Sequence, residues 1–191
     1  MMLKLMDGLE VMSRTKDLIV ACRQFLERYP QAAQVAAIEI RLARTLLESM
    51  DRESAAAAHR VVWKRHRATP IGRAHGVQAL RIYLDQLGGE FVVQGAELAE
   101  EMYDALPKGE FSRQIGWKAF ESWKRIREYA KSNVVGNKML QRNVFVDPQG
   151  KRRLFYAMGE NHAAQGQHRN AYTAYGQARA LADSADVIYR Q

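Results

Sequence analysis

Cysteine is almost missing from this chain, and proline is scarce: Cys22 stands alone, with four prolines among 191 residues. A lone cysteine cannot close an internal disulfide, so a reducing, cytoplasmic setting is expected. Runs of alternating β-branched residues are few, while alanine, leucine, glutamate and arginine dominate, which argues for helices over a sheet. No stretch approaches the ~18 apolar residues of a membrane helix, so no membrane partner is expected. Ile19-Val20-Ala21-Cys22 imitates the end of a lipoprotein signal. Asp7, Glu10, Arg14, Lys16 and Asp17 precede it, however, and leave no apolar core of about 7–15 residues. Cys22 is therefore expected to be a buried helical residue.

Catalytic signatures are lacking too. None of H-E-x-x-H, G-x-S-x-G, G-x-x-x-x-G-K-[ST] or strand-borne G-x-G-x-x-G occurs. The five histidines, His59, His66, His75, His162 and His168, show no metal-ligand spacing, and one cysteine cannot build a Cys-rich zinc site. Glu100, Glu101 and Asp104 share a helix but suit a solvated face. The expectation is a non-enzyme with no cofactor and no metal.

What is present is 47% hydrophobic and 26% charged residues, a balance that suits a folded chain rather than a disordered one. The net charge is +8, and it is concentrated. Residues 108–153 carry twelve Lys/Arg against four Asp/Glu, whereas the remainder is balanced.

Tyr29-Pro30, Thr69-Pro70 and Leu106-Pro107 punctuate amphipathic runs at intervals of 40 and 37 positions. Each mark follows a helical run, and further runs over about 33–50 and 72–87 lie between them, broken at Asp51-Arg52 and Gly88-Gly89. Helix, short turn, helix, proline, repeated at this period, predicts an all-α array of antiparallel helical hairpins. Met1, Leu3, Leu5, Met6, Leu9, Val11 and Met12 predict a short apolar helix that caps the array or docks on a partner.

The segment from Arg152 onward carries a more specific pattern. Phe155, Met158, Gly159, His162, Gly166, Ala171, Tyr175 and Ala178 fall at spacings that resemble the tetratricopeptide repeat (TPR), a helix-turn-helix of 34 residues in that family. His162 stands where the family prefers an aromatic, and Asp183 where it prefers proline. The match is clear over residues 152–185 and looser upstream. Gly159 and Ala171 are expected to be small so that two helices cross closely, with Tyr175 and Phe155 filling the space around the crossing. The resemblance implies a TPR-like α-solenoid and a scaffold or adaptor that holds a peptide or partner helix in a groove. In this sequence the implied groove residues are Arg153, Tyr156, Glu160 and Ala163. Glu160 departs from the cationic set of family members that clamp a terminal carboxylate.

The segment ahead of that repeat reads as one long helix, Glu110–Lys131, and then an irregular connection. Asp147-Pro148-Gln149-Gly150 suits a β-turn, and a short hairpin could follow from it. One stripe of the long helix collects Arg113, Trp117, Phe120, Lys124, Arg127 and Lys131. Spaced cations and flat rings suit nucleic acid, the alternative partner; they equally suit a helix packed on two sides with its cationic stems lying along the core. Arg60, Lys64 and Arg67 share a second basic face, where they also complement a helix dipole. The expected organisation is helical-hairpin repeats over 1–107, a basic-aromatic helix with an irregular connection over 108–151, and a TPR-like hairpin with its tail over 152–191. Exposed residues in 165–191, Tyr172 and Ile188 among them, suggest a homodimer through that end.

Overall fold

A computed structural model describes residues 2–188. Among the described residues there are ten α-helices and no strand: α1 (Met2–Val11), α2 (Thr15–Arg28), α3 (Val35–Glu48), α4 (Arg52–His66), α5 (Pro70–Arg81), α6 (Phe91–Ala105), α7 (Glu110–Arg125), α8 (Tyr129–Gln141), α9 (Pro148–Ala164) and α10 (His168–Ile188). Helix α5 runs on into a wider π turn, Ile82–Leu87. The chain forms two compact units, Met1–Val92 and Val93–Gln191.

Four helix pairs share one register. Take Met6, Ala43, Phe120 and Gly159 as anchors in α1, α3, α7 and α9. Each first helix ends five residues after its anchor, at Val11, Glu48, Arg125 or Ala164, and each second helix begins nine residues after it, at Thr15, Arg52, Tyr129 or His168. Seven residues after each anchor the backbone turns left-handed, at Ser13 (φ 54°), Met50 (φ 64°), Arg127 (φ 63°) and Gly166 (φ 70°). The next N–H then reaches back across the turn. Arg14 donates to the Leu9 carbonyl at 2.9 Å, Asp51 to Leu46 at 3.1 Å, Glu128 to Trp123 at 2.9 Å and Gln167 to His162 at 2.9 Å. This is the helix-stop geometry that satisfies terminal carbonyls and reverses the chain.

The core follows the same register. Twelve positions after the anchors lie Leu18, Ala55, Ser132 and Ala171, all at most 4% exposed. Nineteen positions after them lie Phe25, Val62, Met139 and Ala178, again buried. The sixteenth position holds Cys22, His59, Gly136 and Tyr175. Cys22 is 0% exposed, as expected of a helical core residue, and burial pushes its thiol up to about 11.

Local signals explain several boundaries. Asp51 caps α4 by accepting the Ser54 N–H at 3.2 Å, and Lys64, Arg65 and His66 meet the negative end of the helix dipole in its last turn. Thr69 accepts the Gly72 N–H at 3.1 Å, and Pro70 opens α5 as its first residue.

The structure corrects two expectations about residues 108–151. The helix read as Glu110–Lys131 is two helices, because α7 stops at Arg125 and Arg127 takes the left-handed turn. No glycine or proline announces that stop. The Asp147–Gly150 tetrapeptide is no hairpin turn: Asp147 Oδ1 accepts the Gly150 N–H at 2.7 Å, and Pro148 begins α9. The pattern Asp-Pro-x-Gly suits both outcomes, since proline presets the φ of a turn and of a first helical residue alike. Helix α9 thus starts four residues before Arg152.

Candidate functional site

Helix α9 presents Arg153, Tyr156, Glu160 and Ala163 at spacings of three, four and three, which places them along one face. All four are exposed, while Leu154, Ala157, Met158 and Asn161 are buried beneath them. The four side chains expected from the repeat resemblance therefore share the exposed side of α9.

Two of these residues are tied to α7. The Lys124 ammonium donates to Glu160 Oε2 at 2.7 Å, and the Arg153 guanidinium lies over the Trp117 ring, 4.9 Å from its centroid. In hairpin register Trp117 is the α7 counterpart of Tyr156, three positions before the anchor, and Lys124 is the counterpart of Ala163. Two residues expected to meet nucleic acid and two expected to meet a peptide thus lie side by side. Trp117 is half-buried, with its ring edge-to-face against Phe120 at 5.6 Å and Phe145 at 6.3 Å.

The other four members of the basic-aromatic stripe do not join that face. Phe120 is 0% exposed and belongs to the core, so it has no surface on which a base could stack. Arg113 pairs with Glu110 and lies 3.9 Å from Asp147. Arg127 occupies the α7–α8 turn. Lys131 lies on α8, its ammonium 4.4 Å from the Trp123 ring centroid. The stripe requires a single continuous helix, and the helix break at 126–128 divides it.

A groove of about 520 Å³ opens between α9 and α10, lined by Arg152, Tyr156, Tyr175, Ala178 and Arg179. The two tyrosine rings meet at 5.3 Å with a tilt of 50°. Burial is the main cause that pushes the Tyr175 phenol above its ordinary range, so the phenol stays protonated and can donate. Tyr175 also closes the crossing from within: a Cβ on Gly159 would stand 2.5 Å from its ring. One side chain thus serves both core and groove. Its packing role is legible in the repeat pattern, whereas its place on the groove wall, like that of Arg152, emerges only once both helices are in place.

Several of the remaining polar candidates have structural partners. Lys138 of α8 is gripped by Glu100 at 2.8 Å and Asp104 at 2.7 Å. Burial opposes its charge, but the two carboxylates outweigh that and raise its pKa. Trp123 Nε1 donates to Glu100 at 3.1 Å. His162 contacts Gln167 at 2.7 Å and Asn133 at 3.3 Å and serves the packing of α8, α9 and α10. In the first unit the Nδ1 atoms of His59 and His75 are 2.7 Å apart, and burial, followed by His75, pushes His59 down to about 4. Among the described residues no three metal-binding side chains cluster, and no helix is long and apolar enough to cross a membrane.

Comparison with known proteins agrees on architecture. No family model matches the chain, and no curated protein matches it by sequence. The crystal structure of BtubC (BKLC) from P. vanneervenii is similar over 97% of this chain and 80% of that one, at 12% identity and a TM-score of 0.52. A thermophilic TPR protein of Thermus thermophilus aligns over 99% of this chain and 94% of that one, at 17% identity and a TM-score of 0.42. At 12% identity the likeness to BtubC is one of fold. With the recurring hairpin register, this chain is a helical-repeat protein of TPR-like fold.

Proposed function

We propose that the protein is a non-enzymatic interaction scaffold, and that it holds a peptide or helix of a partner protein against the α9 face. The observation that carries this reading is the exposure of Tyr156, 56% accessible in the middle of a helix whose other side is committed to the core. Arg153, Glu160 and Ala163 extend the face, and Trp117 and Lys124 widen it. An aromatic held open beside cations gives a partner both apolar area and a fixed polar register.

A photo-crosslinking residue at position 156 of the full chain tests this in cells. Discrete protein adducts are expected there, and none with the crosslinker at Val134, a half-exposed site on α8. Adducts removed by nuclease would instead favour the nucleic-acid alternative, for which the positive excess of residues 108–153 is the supporting feature. Equal labelling at both positions would overturn the assignment of the face.

Self-association through residues 165–191 belongs to the same proposal. Tyr172 on α10 is 82% exposed, which supports it. The side chains of 182–188, Ile188 included, and residues 189–191 lie outside those described. A monomeric mass by light scattering at tens of micromolar would overturn self-association.

A further inference from the structure

Helices α4 and α5 meet through a contact that holds a single proton. The Nδ1 atoms of His59 and His75 are 2.7 Å apart, with ring centroids at 4.8 Å and a tilt of 39°. One ring must donate and the other accept. With no Nδ1 proton two lone pairs would face each other, and with two protons two N–H groups would. An imidazolium carries a proton on both nitrogens, so the contact survives one charged ring at most. The two rings differ in what a charge would cost. His75 is half-buried and reaches solvent. His59 is 6% exposed and its Nε2 has no hydrogen-bond partner, so a charged His59 would keep a buried N–H unpaired.

The charged groups of the packed elements do not offset that cost. The group that bears on His59 is His75, and the one that bears on His75 is His66, both cationic when protonated. Helix α3 presents Glu39, which is committed to Arg65 at 2.8 Å, while its Arg41 and Arg44 turn to Asp7 and Glu10 of α1. The π turn brings Tyr83, whose phenol burial keeps protonated and which answers to Arg60 and Glu53. On α5, Arg73 stands about 200° round the helix from His75. Both histidines are held below their ordinary range, chiefly by burial. They are therefore neutral in the closed hairpin and take up protons when it opens, so acid favours the open form.

We infer that the His59–His75 pair is a proton-operated latch: charging of both rings in mild acid parts α4 from α5, and the opening is confined to the first unit, Met1–Val92. The pair sits two turns of helix, about 10 Å, from the closed end of the hairpin. That end is tight, because a Cβ on Gly72 would stand 2.0 Å from the His66 carbonyl oxygen. Beyond the pair, α5 gives up the α pattern for the π turn at Ile82–Leu87. Release at the pair therefore parts the helices at the end away from Gly72. Trp63 is one turn from His59 and 1% exposed, and Ala79 is one turn from His75 and 0% exposed. Both become accessible when the latch opens.

Nuclear magnetic resonance of the full chain tests it, with ring-labelled histidine and acidification from about pH 8 to pH 4. At the start one ring of the pair is expected in the Nδ1–H form and the other in the Nε2–H form. On acidification both rings should charge in step with loss of the closed-form Trp63 indole and Ala79 methyl signals, while the Ala171 and Ala178 methyl signals of α9 and α10 persist. Two protons taken up on opening raise the opening constant about a hundredfold per pH unit between the lowered and ordinary values. His75→Gln keeps a side-chain amide opposite His59 and should reduce that dependence to about tenfold. Circular dichroism establishes that this variant is folded, and His59→Gln carries the same expectation should it not be. Charging of His59 with the Trp63 and Ala79 signals unchanged would overturn the latch. An equal pH dependence of opening in the wild type and His75→Gln would overturn it as well. Loss of the Ala171 and Ala178 signals at the same pH as the others would overturn the confinement to the first unit.

Discussion

Hairpins α7/α8 and α9/α10 solve the same packing problem with opposite residues. In the later pair the first helix contributes the small residue, Gly159, and the second the large one, Tyr175. In the earlier pair the first helix contributes Phe120 and the second Gly136. Both pairs are sixteen positions apart (159 to 175, 120 to 136), and both are in tight contact. A Cβ on Gly159 would stand 2.5 Å from the Tyr175 ring, and one on Gly136 3.2 Å from the Phe120 ring. What the two hairpins share is the summed volume at the crossing, not which helix supplies it. The turns teach a similar lesson. Gly166 adopts its left-handed conformation without steric penalty, while Arg127 adopts the same one at a cost of roughly 1 kcal/mol. Packing of the two helices overrides that local preference. Ser132, at the position where the last hairpin has Ala171, makes its own accommodation by donating to the Phe120 carbonyl at 2.9 Å.

The largest effect should come from emptying the crossing. Phe120→Ala is expected to cost about 4 kcal/mol, because a fully buried ring leaves a cavity that two helices cannot collapse around. Urea denaturation followed by circular dichroism measures it, and a loss below about 1 kcal/mol would break the claim that Phe120 is core and not a stacking platform.

The sixteenth position sharpens the comparison further, since in α4 it is His59. Its folded pKa, about 4, lies below the ordinary value of 6.5, so the unfolded chain binds more protons between those two values. The associated stability is present in full above pH 6.5 and is lost as pH falls towards 4, to the extent of about 3 kcal/mol. His75, lowered by burial and then by His66, acts in the same direction. Melting temperatures across pH 4–7 should show this slope in the wild type and a shallower one in His59→Leu. Equal slopes in the two proteins would remove His59 from the explanation.

Overfilling comes next. Gly159→Leu should cost about 2 kcal/mol, because even a Cβ at that position would stand 2.5 Å from the Tyr175 ring. A neutral result would mean that the small-large pairing of the last hairpin is not what holds its helices together.

The two turns should then answer substitution with opposite signs. Arg127→Gly is expected to stabilise by about 1 kcal/mol, and Gly166→Ala to destabilise by about 1 kcal/mol. Equal signs in urea denaturation would show that one of the turns is not left-handed in solution. The smallest effect belongs to the surface pair: Lys124→Ala should change stability by no more than about 0.5 kcal/mol, because the Lys124–Glu160 pair is open to solvent and its attraction is screened.

The last hairpin is legible because its punctuation follows local rules. Gly166 marks the turn, and Gly159, Ala171 and Tyr175 mark the crossing. The first hairpin and α7/α8 follow the same register but lack those markers, since Ser13 and Arg127 stand in the left-handed turns and Met6 and Phe120 at the anchors. A pattern search tuned to small residues passes over them, and for that reason the break within 110–131 cannot be read from the sequence. The site is half legible. The spacing of Arg153, Tyr156, Glu160 and Ala163 predicts a shared exposed face, because a helix repeats every 3.6 residues whatever lies around it. That Trp117 and Lys124 meet this face is a property of α7 packed against α9, separated by more than thirty positions of chain.

By itself, then, the sequence determined that the chain is helical, where the charge lies, and that it is cut into hairpins at a period near that of its prolines. Periodicity, capping residues and composition act over a few residues and need no partner. Only the tertiary structure decided which helix of a pair supplies the bulk, that Asp147-Pro148 starts α9 instead of turning a strand, that Phe120 is core, and that Arg152 and two tyrosines converge on one groove. Those outcomes depend on volume and charge summed across helices that are distant in the chain, and no local window contains that sum.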